Sequence, residues 1–137
     1  MLHHVQVSCP NGGEDAARAF YGGVLGLPEV AKPPELAAGG GCWFRAERAG
    51  LTIELHVGVE PDFAPAGKAH PAFLVDDVDA VAADCSAAGF PVTWDGRFPG
   101  YCRFHTADGN GNRVEILQVD GSVSPPAAPS APSVPVR

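Results

Sequence analysis

Four residues of this chain could hold a metal ion between them: His4, Glu54, His70 and Glu115. Two imidazoles and two carboxylates suit a divalent ion such as zinc, nickel, cobalt, manganese or iron. A cation would also offset the cost of setting Glu115 among the apolar residues of RVEILQV, because a carboxylate in such surroundings needs a compensating charge. Four protein ligands would leave about two positions of an octahedral shell for water or a chelating substrate. Two substitutions stay open. His3 adjoins His4, and only one of the two can face inward. His56 lies two residues beyond Glu54 on the same strand face and could ligate in its place.

The elements that must position these residues come in two matching sets. Residues 2–9 alternate, with Val5, Val7 and Cys9 on one side and His4, Gln6 and Ser8 on the other, which predicts a strand. After the Asn11-Gly12-Gly13 turn, Ala16, Ala17, Phe20, Tyr21, Val24 and Leu25 form a helical stripe that Gly26 ends. A short strand over 27–31, a Pro/Gly-rich loop to Gly41, and strands over 42–46 and 51–59 follow. In the last of these Leu51, Ile53, Leu55 and Val57 share one face, and Thr52, Glu54 and His56 the other. Beyond a linker at 60–68 the order recurs. A strand covers 70–75, and a helix capped by Asp76 or Asp77 carries Val78, Val81, Ala82 and Cys85 to Gly89. Strands over 90–94, 101–106 and 112–119 complete the set.

The repetition reaches single residues. Gly26-Leu27-Pro28 matches Gly89-Phe90-Pro91, Cys42-x-Phe44 matches Cys102-x-Phe104, and Ile53-Glu54-Leu55 matches Val114-Glu115-Ile116. A period of roughly 60 residues is too long for a solenoid and predicts two βαβββ modules, 1–59 and 69–119, joined as one α+β domain. Related by a pseudo-twofold, the modules can bring their His and Glu together. Trp43, Arg45, His56, Tyr101, Arg103 and His105 fall on the polar strand faces and are expected as cavity walls, with Arg45 or Arg103 holding an anionic group of a small-molecule substrate.

Composition narrows the partners. The 137 residues carry a formal net charge of −7, without a Lys/Arg cluster, so no nucleic-acid partner is expected. No apolar run approaches the ~20 residues of a membrane span, and MLHHVQVSCPNGG lacks the features of a signal peptide, so a cytoplasmic location is expected. The four cysteines are scattered without a CxxC pair and are expected to be small buried apolar residues. Five of the last seventeen residues are Pro, and 120–137 reads as an extended, disordered tail.

The opening HHVQV, the segments ARAFYGGVLGLPEV and KAHPAFLVDDVDAVA, and the closing GNRVEILQ resemble the vicinal oxygen chelate superfamily of glyoxalase I, bleomycin and fosfomycin resistance proteins and extradiol dioxygenases. The likeness spans 2–119. It implies a glyoxalase-like fold, with curved mixed sheets enclosing a metal and substrate cleft. By glyoxalase-like members the metal ligands are His4, Glu54, His70 and Glu115. A dioxygenase-like member would keep His4, His70 and Glu115 with Fe(II) or Mn(II), and the presence of Glu54 favours the first scheme. A bleomycin-binding member needs no such set. Asp108-Gly109 replaces the usual Asp-Pro before the closing turn, which is expected to loosen it. Segments that mark glutathione binding are not identifiable. Members commonly form homodimers, so a homodimer is expected.

The activity this implies is that of a metal-dependent lyase or isomerase acting on a small vicinal-oxygen substrate through a metal-stabilised enediolate, with Glu115 or Glu54 as general base. The alternatives are an extradiol-type dioxygenase and a non-catalytic protein that binds an antibiotic or metabolite.

Overall fold

A computed structural model of the chain describes residues 1–121. From residue 122 onward the expected extended tail lies outside the described residues. The first module runs β1 (His4–Cys9), α1 (Glu14–Ala17) continuing as a π-helical stretch (Arg18–Val24), β2 (Glu29–Val30), α2 (Pro34–Ala37), β3 (Cys42–Arg48) and β4 (Leu51–Val59). The second runs β5 (Ala72–Leu74), α3 (Val78–Ala87), β6 (Thr93–Trp94), β7 (Tyr101–Ala107) and β8 (Arg113–Val119). Each forms one four-stranded sheet, ordered β1-β4-β3-β2 and β5-β8-β7-β6. These are the expected βαβββ modules with mixed sheets.

One feature of the topology serves the site directly. The first strand of each sheet pairs parallel with the last, because a helix carries the chain back before the final strands are laid down. The register sets His4 beside Glu54. In the second sheet Ala72 stands beside Glu115, and the Glu115 N–H donates to the Pro71 carbonyl at 3.0 Å. His70 is therefore tied next to the middle of β8 although β5 begins two residues later.

Alternation decides which faces are packed. Phe44, Leu55 and Val57 of the first sheet and Phe104, Val114 and Ile116 of the second are buried, together with Phe20, Tyr21, Val78, Ala82 and Cys85 from the helical segments. The modules share this core: Phe20 meets Phe90 edge-on at 5.1 Å between ring centres, and Tyr21 lies 6.3 Å from Phe73. Asp77 caps α3 by accepting from the Ala80 N–H at 2.9 Å. Gly26 and Gly89, the matched helix terminators, have φ of +67° and +85°, a conformation that costs glycine least.

Several expectations are corrected in detail. The first helix widens into π geometry, shown by the Leu25 N–H donating to the Phe20 carbonyl at 3.0 Å. Gly22 and Gly23 hold an α-helix weakly, and the widened stretch buries the consecutive rings of Phe20 and Tyr21 together. The Pro/Gly-rich loop contains α2, with Pro34 at its start, where the missing N–H has no cost. Leu51 and Ile53 share the Leu55 face but are 57% and 38% exposed. Cys102 is exposed while the other three cysteines are buried. It pairs with Gln118 one residue from the end of its sheet.

The closing turn is braced rather than loose. Asp108 accepts from the N–H groups of Asn110 and Asn112 on Oδ1 and from the Tyr21 hydroxyl and Asn112 Nδ2 on Oδ2, all at 2.8–2.9 Å. Asn112 Nδ2 also donates to the Ser8 carbonyl at 2.7 Å, and Asn110 Nδ2 to that of Gly13 at 2.9 Å. The bonds to Tyr21, Ser8 and Gly13 lock one module onto the other. Gly109 fits here because a Cβ would lie 2.7 Å from the Ala16 carbonyl oxygen.

Candidate metal centre

The strand faces turned away from the core carry the polar side chains. In the second module β7 presents Arg103 and His105, β8 presents Glu115, and His70 enters from the segment before β5. Glu115 is 5% exposed. His70 Nε2 lies 3.0 Å from its Oε2, Arg103 Nη1 donates to its Oε1 at 2.9 Å, and His105 Nε2 is 3.7 Å from Oε2. Burial pushes the Glu115 carboxyl up, but the Arg103 and His70 hydrogen bonds outweigh it and the net shift is downward. His105 is shifted down, first by burial and then by the nearby Arg113. Arg103 also donates to Asp95 Oδ2 at 2.9 Å and lies 5.1 Å over the Phe98 ring. Asp95 is held well below the usual carboxylate range, first by its bond from the Arg97 side chain.

The orientation of His70 tests whether a cation fits. Its Nδ1 lies 2.8 Å from the Lys68 carbonyl, which can only accept, so Nδ1 carries the proton. The Nε2 atom then faces the carboxylate oxygen at 3.0 Å, and a cation placed beside both would be held by the two together. A ring steered by a backbone carbonyl, with its far nitrogen beside a carboxylate, is how histidine ligands are commonly held. His70, His105 and Glu115 offer donor atoms that all lie within 4.8 Å of one another, the one such group of three or more among the described residues. The donor set fits a divalent ion.

The first module is built differently on the same plan. Glu54 accepts from Arg45 Nη2 at 2.9 Å on Oε1, and its Oε2 lies 2.9 Å from His56 Nε2. The His56 contact and then Arg45 hold the Glu54 carboxyl below its ordinary range. His56 is buried and sandwiched, 4.2 Å from the His4 ring and 3.8 Å from that of Trp43, nearly parallel to both. His4 thus turns toward this face, and His3 meets it through Nδ1 at 3.0 Å. Tyr101 stacks on Phe98 at 4.6 Å.

Between the modules lies a groove of about 510 Å³ lined by Leu51, Ile53, Glu54, His70, Phe73 and Leu74, among others. His70 also borders a second groove of about 320 Å³, with Val5, Ser8, Phe63 and Arg113.

The structure thus brings His70 to Glu115, with Arg103 and His105. It sets Glu54 with Arg45 and His56, and His4 with His56 and Trp43. Both candidate anion-binding arginines, Arg45 and Arg103, already serve a glutamate. Sequence reasoning did not single out Asp95 or Phe98, which fall between the strands expected over 90–94 and 101–106. The Lys68 carbonyl that orients His70 is a backbone group, to which no residue type points.

The profile of the Glyoxalase/Bleomycin resistance protein/Dioxygenase superfamily matches residues 2–116. No curated protein matches the chain. Among solved structures, a glyoxalase family protein from Bacillus anthracis is 42% identical, with a TM-score of 0.79 over 88% of this chain and 95% of that one. Lactoylglutathione lyase from Agrobacterium tumefaciens is 27% identical, with a TM-score of 0.63 over 86% and 92%. TnmS3, an antibiotic binding protein from Streptomyces sp. CB03234, is 23% identical, with a TM-score of 0.64 over 88% and 98%, a likeness of fold.

Proposed function

The chain belongs to the Glyoxalase/Bleomycin resistance protein/Dioxygenase superfamily, and from that premise we propose that it is a metal-dependent lyase or isomerase acting on a small molecule with neighbouring oxygens. The observation that carries this reading is His70, its Nδ1 committed to the Lys68 carbonyl and its Nε2 aimed at Glu115. His70 and Glu115 would hold the ion, with His4 and Glu54 as the further ligands expected from the first module. A divalent cation bound there supplies Lewis-acid polarisation of two neighbouring substrate oxygens.

The protein's own groups supply the rest. Glu115 is enclosed by Arg103, His70 and His105 and is suited to holding charge in place. Glu54 borders the apolar groove and can meet a substrate lying in it. With its carboxyl held low, Glu54 is ionised at neutral pH and can take a proton from the carbon beside a carbonyl. Returning that proton to the former carbonyl carbon, while the hydroxyl proton passes to the former carbonyl oxygen, completes the isomerisation of an α-hydroxycarbonyl. Arg45 and His56 keep the carboxylate aimed while it does so. The walls of Leu51, Ile53 and Phe73 offer the substrate an apolar surface. The exposure of Leu51, Ile53 and Leu74 supports a homodimer, which sedimentation of the full chain would test.

Elemental analysis of purified protein, followed by turnover of α-hydroxycarbonyl compounds, tests the reading. Glu54→Gln should hold the metal less tightly and lose most of kcat, whereas Glu115→Gln should lose metal and turnover together while the protein stays folded. Wild-type turnover surviving in Glu115→Gln would reject it. Oxygen uptake with catechols would replace it with the dioxygenase reading.

A further inference from the structure

Strand alternation puts Arg45 and Arg103 on the site faces, and both are engaged by a glutamate. Other arginines are held in the same way. Arg18, Arg45, Arg48, Arg97 and Arg103 each contact a carboxylate at 2.7–2.9 Å. Arg113 is the exception: among the described residues it has no hydrogen-bond or ion-pair partner. It is half-buried, in a chain whose formal net charge is −7. Partial burial strips water from a guanidinium without returning an acceptor, which is unfavourable until an anion arrives.

The place of Arg113 gives this cation a use. It precedes Glu115 by two residues on β8, so both side chains leave the same face of the strand, roughly 6.5 Å apart along it. Arg113 lines the groove of about 320 Å³ that His70 borders, and His70 borders the groove of about 510 Å³ as well. A molecule held at His70 and Glu115 therefore lies within reach of Arg113. The opposite wall of the smaller groove comes from β1. There the Gln6 amide and the Ser8 hydroxyl have no partner of their own among the described residues and offer neutral hydrogen bonds. Gln6 lies across β4 because residue 58 is glycine: a Cβ there would stand 2.6 Å from Gln6 Nε2. Asn112, next to Arg113, ties this wall in place through the Ser8 carbonyl at 2.7 Å. Glu60 also stands at the groove, but it is exposed and forms no pair with Arg113.

We propose that Arg113 is an anion subsite for the substrate, and that the molecule turned over is an α-hydroxycarbonyl carrying a carboxylate a few bonds from its neighbouring oxygens. The proposal rests on the isomerase reading above and narrows its substrate; the ion and its ligands are unaffected by it. The planar guanidinium receives the carboxylate in paired hydrogen bonds, with Gln6 and Ser8 bonding from the facing strand. An acidic side chain of a second copy is the competing partner for Arg113, and the experiment separates the two.

Calorimetric titration of the full chain with δ-hydroxylevulinate, which joins a hydroxyketone to a carboxylate through two methylenes, and with its primary amide tests this. Wild type should bind the acid roughly 10- to 100-fold more tightly than the amide, the range a hydrogen bond between charged groups contributes. Arg113→Met should bring the two affinities within about threefold of each other, and Arg113→Lys, which keeps the charge but not the fork, should restore part of the preference. Thermal unfolding checks that both variants are folded. Equal affinity of wild type for acid and amide would overturn the proposal, as would failure to bind either. An acid preference that survives in Arg113→Met would overturn it too, and loss of an oligomer on sedimentation of that variant would then assign Arg113 to a contact between copies. Turnover of neutral α-hydroxyketones by the same protein keeps the isomerase reading standing when the subsite fails. Absence of turnover with acidic and neutral α-hydroxycarbonyls alike takes the reading and the proposal down together.

Discussion

Replacing Asp108 with alanine removes the acceptor around which the closing turn is built. Four donors lose a partner at once: the Tyr21 hydroxyl, Asn112 Nδ2 and the N–H groups of Asn110 and Asn112. They do not lose equally. Asn112 Nδ2 keeps the Ser8 carbonyl, and Asn110 at the half-buried rim can reach water. The Tyr21 hydroxyl is fully enclosed and has no replacement. Its proton is firmly held, first by burial and then by the Asp108 charge. With a hydrogen bond to a charged group worth about 1.5–3 kcal/mol, and two of the four partly compensated, Asp108→Ala should cost about 3–5 kcal/mol. For a chain of this size that is a Tm decrease of roughly 10–20 °C. Tyr21→Phe removes one donor and should cost about 1–2 kcal/mol, but almost nothing further in the Asp108→Ala background. Thermal unfolding of the two single variants and the double variant measures this coupling. A Tm for Asp108→Ala within ~3 °C of wild type, or strictly additive losses, would refute the claim that this clamp joins the modules.

Gly109→Ala sets a Cβ against the Ala16 backbone and should destabilise by about 1–3 kcal/mol; a variant as stable as wild type would show that the approach is not tight. The metal-free protein should lose stability in acid. Glu54 and Glu115 have carboxyls lowered from 4.5, so their contribution is full above that value and is lost as pH falls through their folded values. His105, lowered from 6.5, acts in the same sense from that pH downward. Tm should therefore decline steadily on acidification below about pH 6.5, and a Tm that rises on going to about pH 5 would contradict the assignment. Bound metal should be released over the same range, because ligand imidazoles take up protons below about pH 6.5; retention unchanged at about pH 5 would argue against His ligation.

The shared face of Glu54 and His56 and the burial of Val114 and Ile116 beside Glu115 were legible because strand alternation assigns each side chain a face, whereas the parallel pairing that sets His4 beside Glu54 was not. Caps were legible too: Asp77 and Gly89 end their helix as their chemistry dictates. Alternation does not say how far the cover over a face extends, so Leu51 and Ile53 read as core although they line an open groove. The widened turn at Arg18–Val24 carries the same apolar stripe as an α-helix and differs only in its bonding. His105 read as a cavity wall because it falls on the polar face of its strand, and only the fold brings its Nε2 to 3.7 Å from Glu115. The braced turn was hidden because its partners, Tyr21, Ser8 and Gly13, lie about a hundred residues away in the chain.

The claim on which the rest stands is that the carboxylate of Glu115 and the Nε2 atom of His70 share a divalent cation. Anomalous diffraction at the cobalt edge from crystals of the Co(II)-loaded chain measures it directly. One peak per chain, within bonding reach of both atoms at ~2.0–2.2 Å, is the expected result. A loaded crystal whose Glu115 still holds Arg103 and His70 as its only partners, with cobalt elsewhere or absent, would contradict it.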